Sequence, residues 1–320
     1  MAQSTVDPVE LPAARPWYRR RLWLWPVLLL GLLLIYYLGG MLWLHKIDDD
    51  PDFGLPSSAP EGGSQAVAVA ADLIDREINT NRWVANDPFF LPGSLLDNMP
   101  EFQQGIVAAI SRFALELTDQ VGRTRGSSQA DADLDRAMGL LRYPGTIWMF
   151  DFRTSWAPTA SSEQQYRQAV AALRSYNERL SQGHAVFETR ADNLLGTLDR
   201  IAADIGSSSA TIDHQLKSAG FWPDFAADNL FYATKGRLYA YFLLLRALQV
   251  DFANVIRERQ LGSAWSQTVE SFREAAALQP WVVVNGAPDS QFMPSHLASQ
   301  GFYLLRARTQ LREVSNILLK

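Results

Sequence analysis

The polar and aromatic residues best placed to do chemistry lie close together between Asn81 and Pro100. Arg82, Asn86, Asp87 and Asp97 alternate with Trp83, Phe89 and Phe90, and Asn98 follows Asp97. Carboxylates beside aromatic platforms suit sugar recognition, and a carboxylate pair at the right separation hydrolyses a glycosidic bond. The plainer reading is structural: Asn86-Asp87-Pro88 starts a turn, while Trp83, Phe89 and Phe90 plug the end of a helical bundle. Sequence gives no separation between two carboxylates, so the plainer reading is preferred and no catalytic residue is assigned. Two other segments share this mixture of Trp, Asn or Asp, Pro and Gly: 143–158, with Trp148 and Asp151, and 280–295, with Asn285 and Asp289.

Elsewhere the chemistry thins out. There is no Gly-x-Ser-x-Gly, Ser-x-x-Lys, phosphate-binding Gly-rich loop or His-Glu-x-x-His. His45, His184, His214 and His296 stand singly, and Asp131-x-Asp133-x-Asp135 lacks the glycine and glutamate a calcium loop needs, having Arg136 and Arg142 at those places. Those aspartates fit the first turn of a helix, complementing its dipole. With no cysteine there is no disulfide, thiolate nucleophile or thiolate metal site. No metal and no cofactor are therefore expected. An excess of acid, 34 Asp and Glu against 29 Lys and Arg, gives no footprint for nucleic acid.

These residues must be positioned by helices. Phe187, Ala191, Leu194, Leu198, Ile201 and Ile205 step alternately by four and three, as do Leu238 to Ile256 and Leu297 to Leu318. This predicts a mainly all-α bundle of long, nearly antiparallel helices. Shorter helices are expected at 64–79, 101–120, 131–142 and 263–279, with stops or caps at 207–209, 220–223 and 262–263. The runs Thr146–Phe152 and Trp281–Val284 are the candidates for short, paired strands. Tyr239–Val250 is apolar but only 12 residues long and broken by Arg246, which makes it a core helix. The three irregular segments are expected to meet at one end of the bundle, burying their aromatics on one another.

Leu22–Leu44 has no charged residue across 23 positions, roughly 35 Å as a helix and enough to cross a hydrocarbon core. Trp17, Trp23 and Trp25 mark one end and Tyr36, Tyr37 and Trp43 the other, as in interfacial aromatic belts. Arg15, Arg19, Arg20 and Arg21 precede it, while Lys46 and then Asp48, Asp49, Asp50 and Asp52 follow. The positive-inside rule then keeps the N-terminus cytoplasmic and exports the rest. Bulky residues from Met41 to His45 argue against a signal-peptide cleavage site. The expected organisation is a cytoplasmic tail (1–21), an anchor (22–44), a solvated acidic linker (45–63) and an exported helical domain (64–320).

Asn81-Arg82-Trp83-Val84-Ala85-Asn86-Asp87-Pro88, then Pro92-Gly93, Leu96-Asp97-Asn98-Met99-Pro100 and Phe102-Gln103-x-Gly105, resemble a bacterial family known as domain of unknown function 2333. The resemblance implies an inner-membrane protein facing the periplasm; it brings no activity, cofactor or catalytic residue. The expected role is a non-enzymatic scaffold, held in the bilayer through Leu22 to Leu44, that binds envelope proteins. The alternatives are a carboxylate-dependent envelope hydrolase or glycan-binding protein, and a ligand-binding module coupled to a partner membrane protein.

Overall fold

A computed structural model describes residues 24–55, 58–124, 131–150, 156–218 and 224–320, and among them the chain forms ten α-helices and no strand. They are α1 (Leu24–Leu44), α2 (Gln65–Asp75), α3 (Asn98–Thr124), α4 (Ala132–Leu141), α5 (Ser162–Ser181), α6 (Ala191–Leu216), α7 (Phe225–Asp251), α8 (Ala253–Glu258), α9 (Gly262–Ala276) and α10 (His296–Leu318). A π-helical turn, Arg76–Thr80, continues α2, and a 3-10 turn, Pro92–Leu95, precedes α3.

The centre is α7, whose residues from Phe231 to Leu248 are mostly buried because α2, α3, α6, α9 and α10 all pack on it. Such a helix must be apolar all round, which is why Leu238–Leu245 reads almost like a membrane span. Its contact with α3 is close because two glycines face each other. A Cβ on Gly105 would run into Ala233 O, and one on Gly236 into Phe102 O. The far end of α7 organises the start of α2: Asp251 accepts from Ser64 Oγ (2.7 Å), Gln65 N (2.7 Å) and Ala66 N (3.0 Å), the donors left open by a helix N-terminus.

The structure departs from the sequence reading in four places. Ser207–Ser209 is no stop: α6 runs through it to Leu216, because Ser207 and Ser208 turn their hydroxyls back to Asp204 O. Helix α5 lies where no helix was expected. Neither strand forms among the described residues of the two runs; Asp151 and Phe152 lie outside those residues, as do 220–223 and the arginines before Leu22. Ile147 N donates to Ser162 Oγ (3.0 Å), Ile147 O accepts from Ser162 N (3.0 Å), and Val284 pairs with His296 through Nδ1 (2.8 Å) and N (3.0 Å). These groups find partners without a ladder, and one isolated bridge, Asn285 with Ser295, is all that remains. Finally, the acidic stretch after α1 is not a solvated linker but a strap against α7, described below.

Candidate functional site

The segment 81–100 turns on Arg82, whose φ of +64° puts a non-glycine residue in the left-handed region. Gln103 Nε2 fixes that bend by donating to Arg82 O at 2.9 Å. The bend sends Trp83 inward, buried, with Nε1 donating to Gly145 O (2.8 Å) and its ring edge-on to Tyr166 at 5.0 Å. Buried Asn86 donates to Ile147 O and to Glu163 Oε2, both at 2.8 Å. Two of the three irregular segments are thereby joined. Asp87 pairs with Arg82 at 3.2 Å in a niche that exists because Gly93 has no side chain: a Cβ there would strike Asp87 Oδ2. Burial pushes the Asp87 carboxyl above its ordinary value, Arg82 works against this, and Glu163 adds to it.

The other residues singled out from sequence fall elsewhere. Asp97 and Asn98 face Asp228 near the start of α7; with its amide correctly oriented, Asn98 donates to both carboxylates. Half-buried Trp148 meets Phe90 (ring centroids 5.6 Å apart) and Phe150 (5.4 Å). Buried Asn285 donates to Asp224 Oδ2 at 2.9 Å. Burial would raise the Asp224 carboxyl, but hydrogen bonds from Asn285, Gln215 and the N–H groups of Ala227 and Ala226 outweigh it and hold it low. Asp289 is exposed, and Asp151 lies outside the described residues. The third segment reaches the α1 end through Pro280, which lines a cleft with Asn81.

The expected burial of the aromatics holds for Trp83 and fails for others. Phe89 is 83% exposed, Phe292 93%, and Trp156 and Trp281 are also exposed. They do not plug the bundle.

The arrangement with the most buried charge was not anticipated. Asp48–Phe53 climbs α7 as a strap. Lys235, 1% exposed, donates from Nζ to Asp49 Oδ2 (2.7 Å), Ala276 O (2.6 Å) and Leu278 O (2.7 Å). Arg76 reaches Asp48 O (2.7 Å) and its carboxylate (3.3 Å), and its guanidinium stacks on Phe53 at 4.4 Å. Tyr239 donates to Asp50 O (2.7 Å), and Arg246 donates to the carbonyls of Pro51 and Phe53. Glu77, fully buried, accepts from Arg76 (2.8 Å), Asn81 (3.2 Å) and Gln103 (3.2 Å) and so holds the arginine in place. The π-helical turn is the local device that aims neighbouring Arg76 and Glu77 inward together. In the sequence the signal is faint: Lys235 and Arg246 flank the apolar run Leu238–Leu245 of a helix whose middle is buried, and a buried charge requires a partner.

At the strap's foot lies a cleft of about 610 Å³ lined by His45, Lys46, Asp48, Asn81, Tyr232 and Lys235, among others. Beside it Asp228 is pushed up to about 6 by burial and then by Asp97. Burial lowers His45, with Asp97 opposing, and burial lowers Lys235 against the pull of Asp49. The cleft thus offers the exposed side chains of His45 and Lys46, with the raised Asp228 carboxyl beside it, while the Lys235 ammonium already has all three donors engaged. Among the described residues no group of three or more His, Asp or Glu is arranged to hold a metal.

The family model described as an uncharacterized protein conserved in bacteria, domain of unknown function 2333, matches residues 61–226 and 214–320. The chain belongs to this family. No curated protein and no solved structure matches it. The family match begins after the strap, so α1 and Asp48–Phe53 precede it, whereas Arg76, Lys235, Tyr239 and Arg246, which hold the strap, lie within it.

Proposed function

We propose that the protein is a single-pass inner-membrane protein whose helical domain stands on the periplasmic side and serves as a scaffold for envelope partners. One observation carries this reading: the strap bolts the domain to the end of α1 through buried charges, which fixes its height and orientation over a membrane. A scaffold needs that fixed presentation. Retention of α1 is supported by its packing on the domain, since Tyr36 and Tyr37 donate to Phe90 O (3.1 Å) and Phe89 O (2.9 Å). A cleaved signal sequence has no reason to fit its mature domain. Orientation rests on the arginine excess before Leu22. The cleft favours a second reading, in which a small polar ligand at His45, Lys46 and Tyr232 modulates the partner.

A reporter fused after Lys320 should be active only in the periplasm; activity in the cytoplasm overturns the placement. Crosslinking of the full chain in intact membranes, followed by mass spectrometry, should give the same discrete envelope protein in repeated experiments. Lys235→Met, which loosens the strap, should reduce that crosslink by more than any fall in the amount of protein. An unchanged crosslink would remove the argument from fixed presentation.

A further inference from the structure

We propose that the turn 88–95, with Trp148 and Met149 beside it, is a second membrane-contacting surface that sinks into the outer leaflet of the bilayer α1 crosses. The inference rests on the reading that α1 spans a membrane, and its occupant is lipid.

Depth is the first argument. The turn is pinned to α1 well below its exported end. Tyr37 donates to Phe89 O, Tyr36 to Phe90 O, and the space a Gly40 side chain would take is filled by Pro92. Tyr36 and Tyr37 precede Leu44 by seven or eight residues, or about 10–12 Å along the helix axis. With the arginines before Leu22 at the cytoplasmic edge, about 20 residues cross the hydrocarbon core and put its outer boundary near Leu42. Phe89 and Phe90 then lie roughly 8 Å inside, within the range of about 5–10 Å that interfacial anchors reach.

Composition is the second argument. Pro88-Phe89-Phe90-Leu91-Pro92-Gly93-Ser94-Leu95-Leu96 has no charge and is bounded on both sides by aspartate, Asp87 and Asp97. Phe89, Phe90, Leu95 and Met149 all present large exposed apolar surface, and Trp148 sits edge-on to Phe90. Such a patch marks a contact with protein or membrane, and its depth beside α1 makes acyl chains the occupant.

The third argument concerns the backbone. Irregular backbone survives at membrane depth only where its polar groups are satisfied within the protein. The carbonyls from Pro88 to Leu91, and that of Gly93, meet the condition. Phe89 O accepts from Tyr37 and from Ser94 Oγ (3.2 Å), Phe90 O from Tyr36, and Leu91 O from Ser94 Oγ (2.6 Å) and Ser94 N (3.1 Å). Leu91 N donates to Pro88 O and Leu96 N to Gly93 O, while Pro88 and Pro92 have no N–H to satisfy.

The chain has no native cysteine, which makes the test direct. Four single variants of the full chain, Leu33→Cys, Phe89→Cys, Met149→Cys and Glu258→Cys, would each carry a nitroxide in vesicles of phosphatidylethanolamine and phosphatidylglycerol. Collision with oxygen reports lipid, and collision with a water-soluble nickel chelate reports solvent. The expected result is high oxygen and low nickel accessibility at 33, 89 and 149, and the reverse at 258, which lies at the far end of the domain. Solvent accessibility at 89 and 149 with lipid at 33 overturns the proposal and leaves the anchor standing. Solvent at 33 overturns the anchor and the proposal with it. Protection of 89 from both probes means a protein surface covers the turn, and this too overturns lipid as the occupant. Because Phe89 and Met149 are exposed, their replacement leaves the core intact, which an unchanged helical far-ultraviolet spectrum would verify.

Discussion

Replacing Lys235 with methionine should both loosen the strap and destabilise the domain. The substitution keeps the length of the side chain and removes three donors' worth of contacts: Asp49 Oδ2 at 2.7 Å, Ala276 O at 2.6 Å and Leu278 O at 2.7 Å. Leaving one member of a buried ion pair without its partner costs about 3–5 kcal/mol. Here the loss is smaller, because Asp49 keeps two hydrogen bonds from Gln279 Nε2, at 2.9 and 2.7 Å. Two carbonyls are left without a donor, at about 1–3 kcal/mol each. Relief from burying an ammonium offsets part of this. The net expectation is about 2–4 kcal/mol. At about 2–4 °C per kcal/mol for a domain of this size, Tm should fall by roughly 4–16 °C. Hydrogen exchange should show faster labelling of residues 46–53, with the amides of α3 still protected. A double-mutant cycle with Asp49→Ala should give a coupling of about 0.5–3 kcal/mol. If Tm is unchanged or rises and the strap stays protected, the buried charge is not what holds the strap, and the reasoning is refuted.

Trp83→Ala should cost about 3–5 kcal/mol in urea unfolding, since the indole is buried against Tyr166 and tied to Gly145 O. Gly236→Ala should destabilise by about 1–3 kcal/mol or more, because a Cβ would press on the backbone of α3 at Phe102; a wild-type midpoint would show that the helices are not so closely apposed. Asp228 gives a pH signature. Its folded pKa of about 6 exceeds the ordinary 3.8, so between these values the folded state binds more protons and stability falls as pH rises. Asp228→Asn should flatten that slope in thermal melts and raise Tm at neutral pH.

The frame of long helices was legible because a buried face repeats with the helical period, and Leu238–Ile256 or Leu297–Leu318 show it without knowledge of their partners. Helix α5 was legible too and was missed: Tyr166, Ala169, Val170, Leu173 and Tyr176 keep the same stepping, and Ser161 caps it three residues before Gln164. The strap is another matter. Asp48–Asp52 has the composition of a solvated linker, and nothing local distinguishes it from one. Its partners are 186 residues away at Lys235 and 28 away at Arg76. The exposed aromatics failed for a related reason, since apolar character says that a side chain leaves water, not whether protein or lipid receives it.

The strap and the turn at 88–95 matter together. A flexible coil over residues 45–63 would let the domain range over roughly 24 Å from the end of α1. Arg76, Lys235, Tyr239 and Arg246 remove that freedom along the strap, and Tyr36, Tyr37 and Pro92 remove it along α1 itself. A hydrolase on a tether gains from reach. Two fastenings sacrifice reach to hold one face in one place, which is what the proposed scaffold would need for a partner at a fixed position. The cleft lies at the foot of the strap, lined by His45 and Asp48 from the chain leaving α1 and by Tyr232 and Lys235 from α7. A ligand or partner side chain entering there would act on the joint between anchor and domain, where Asp228 and Lys235 already have displaced pKa values.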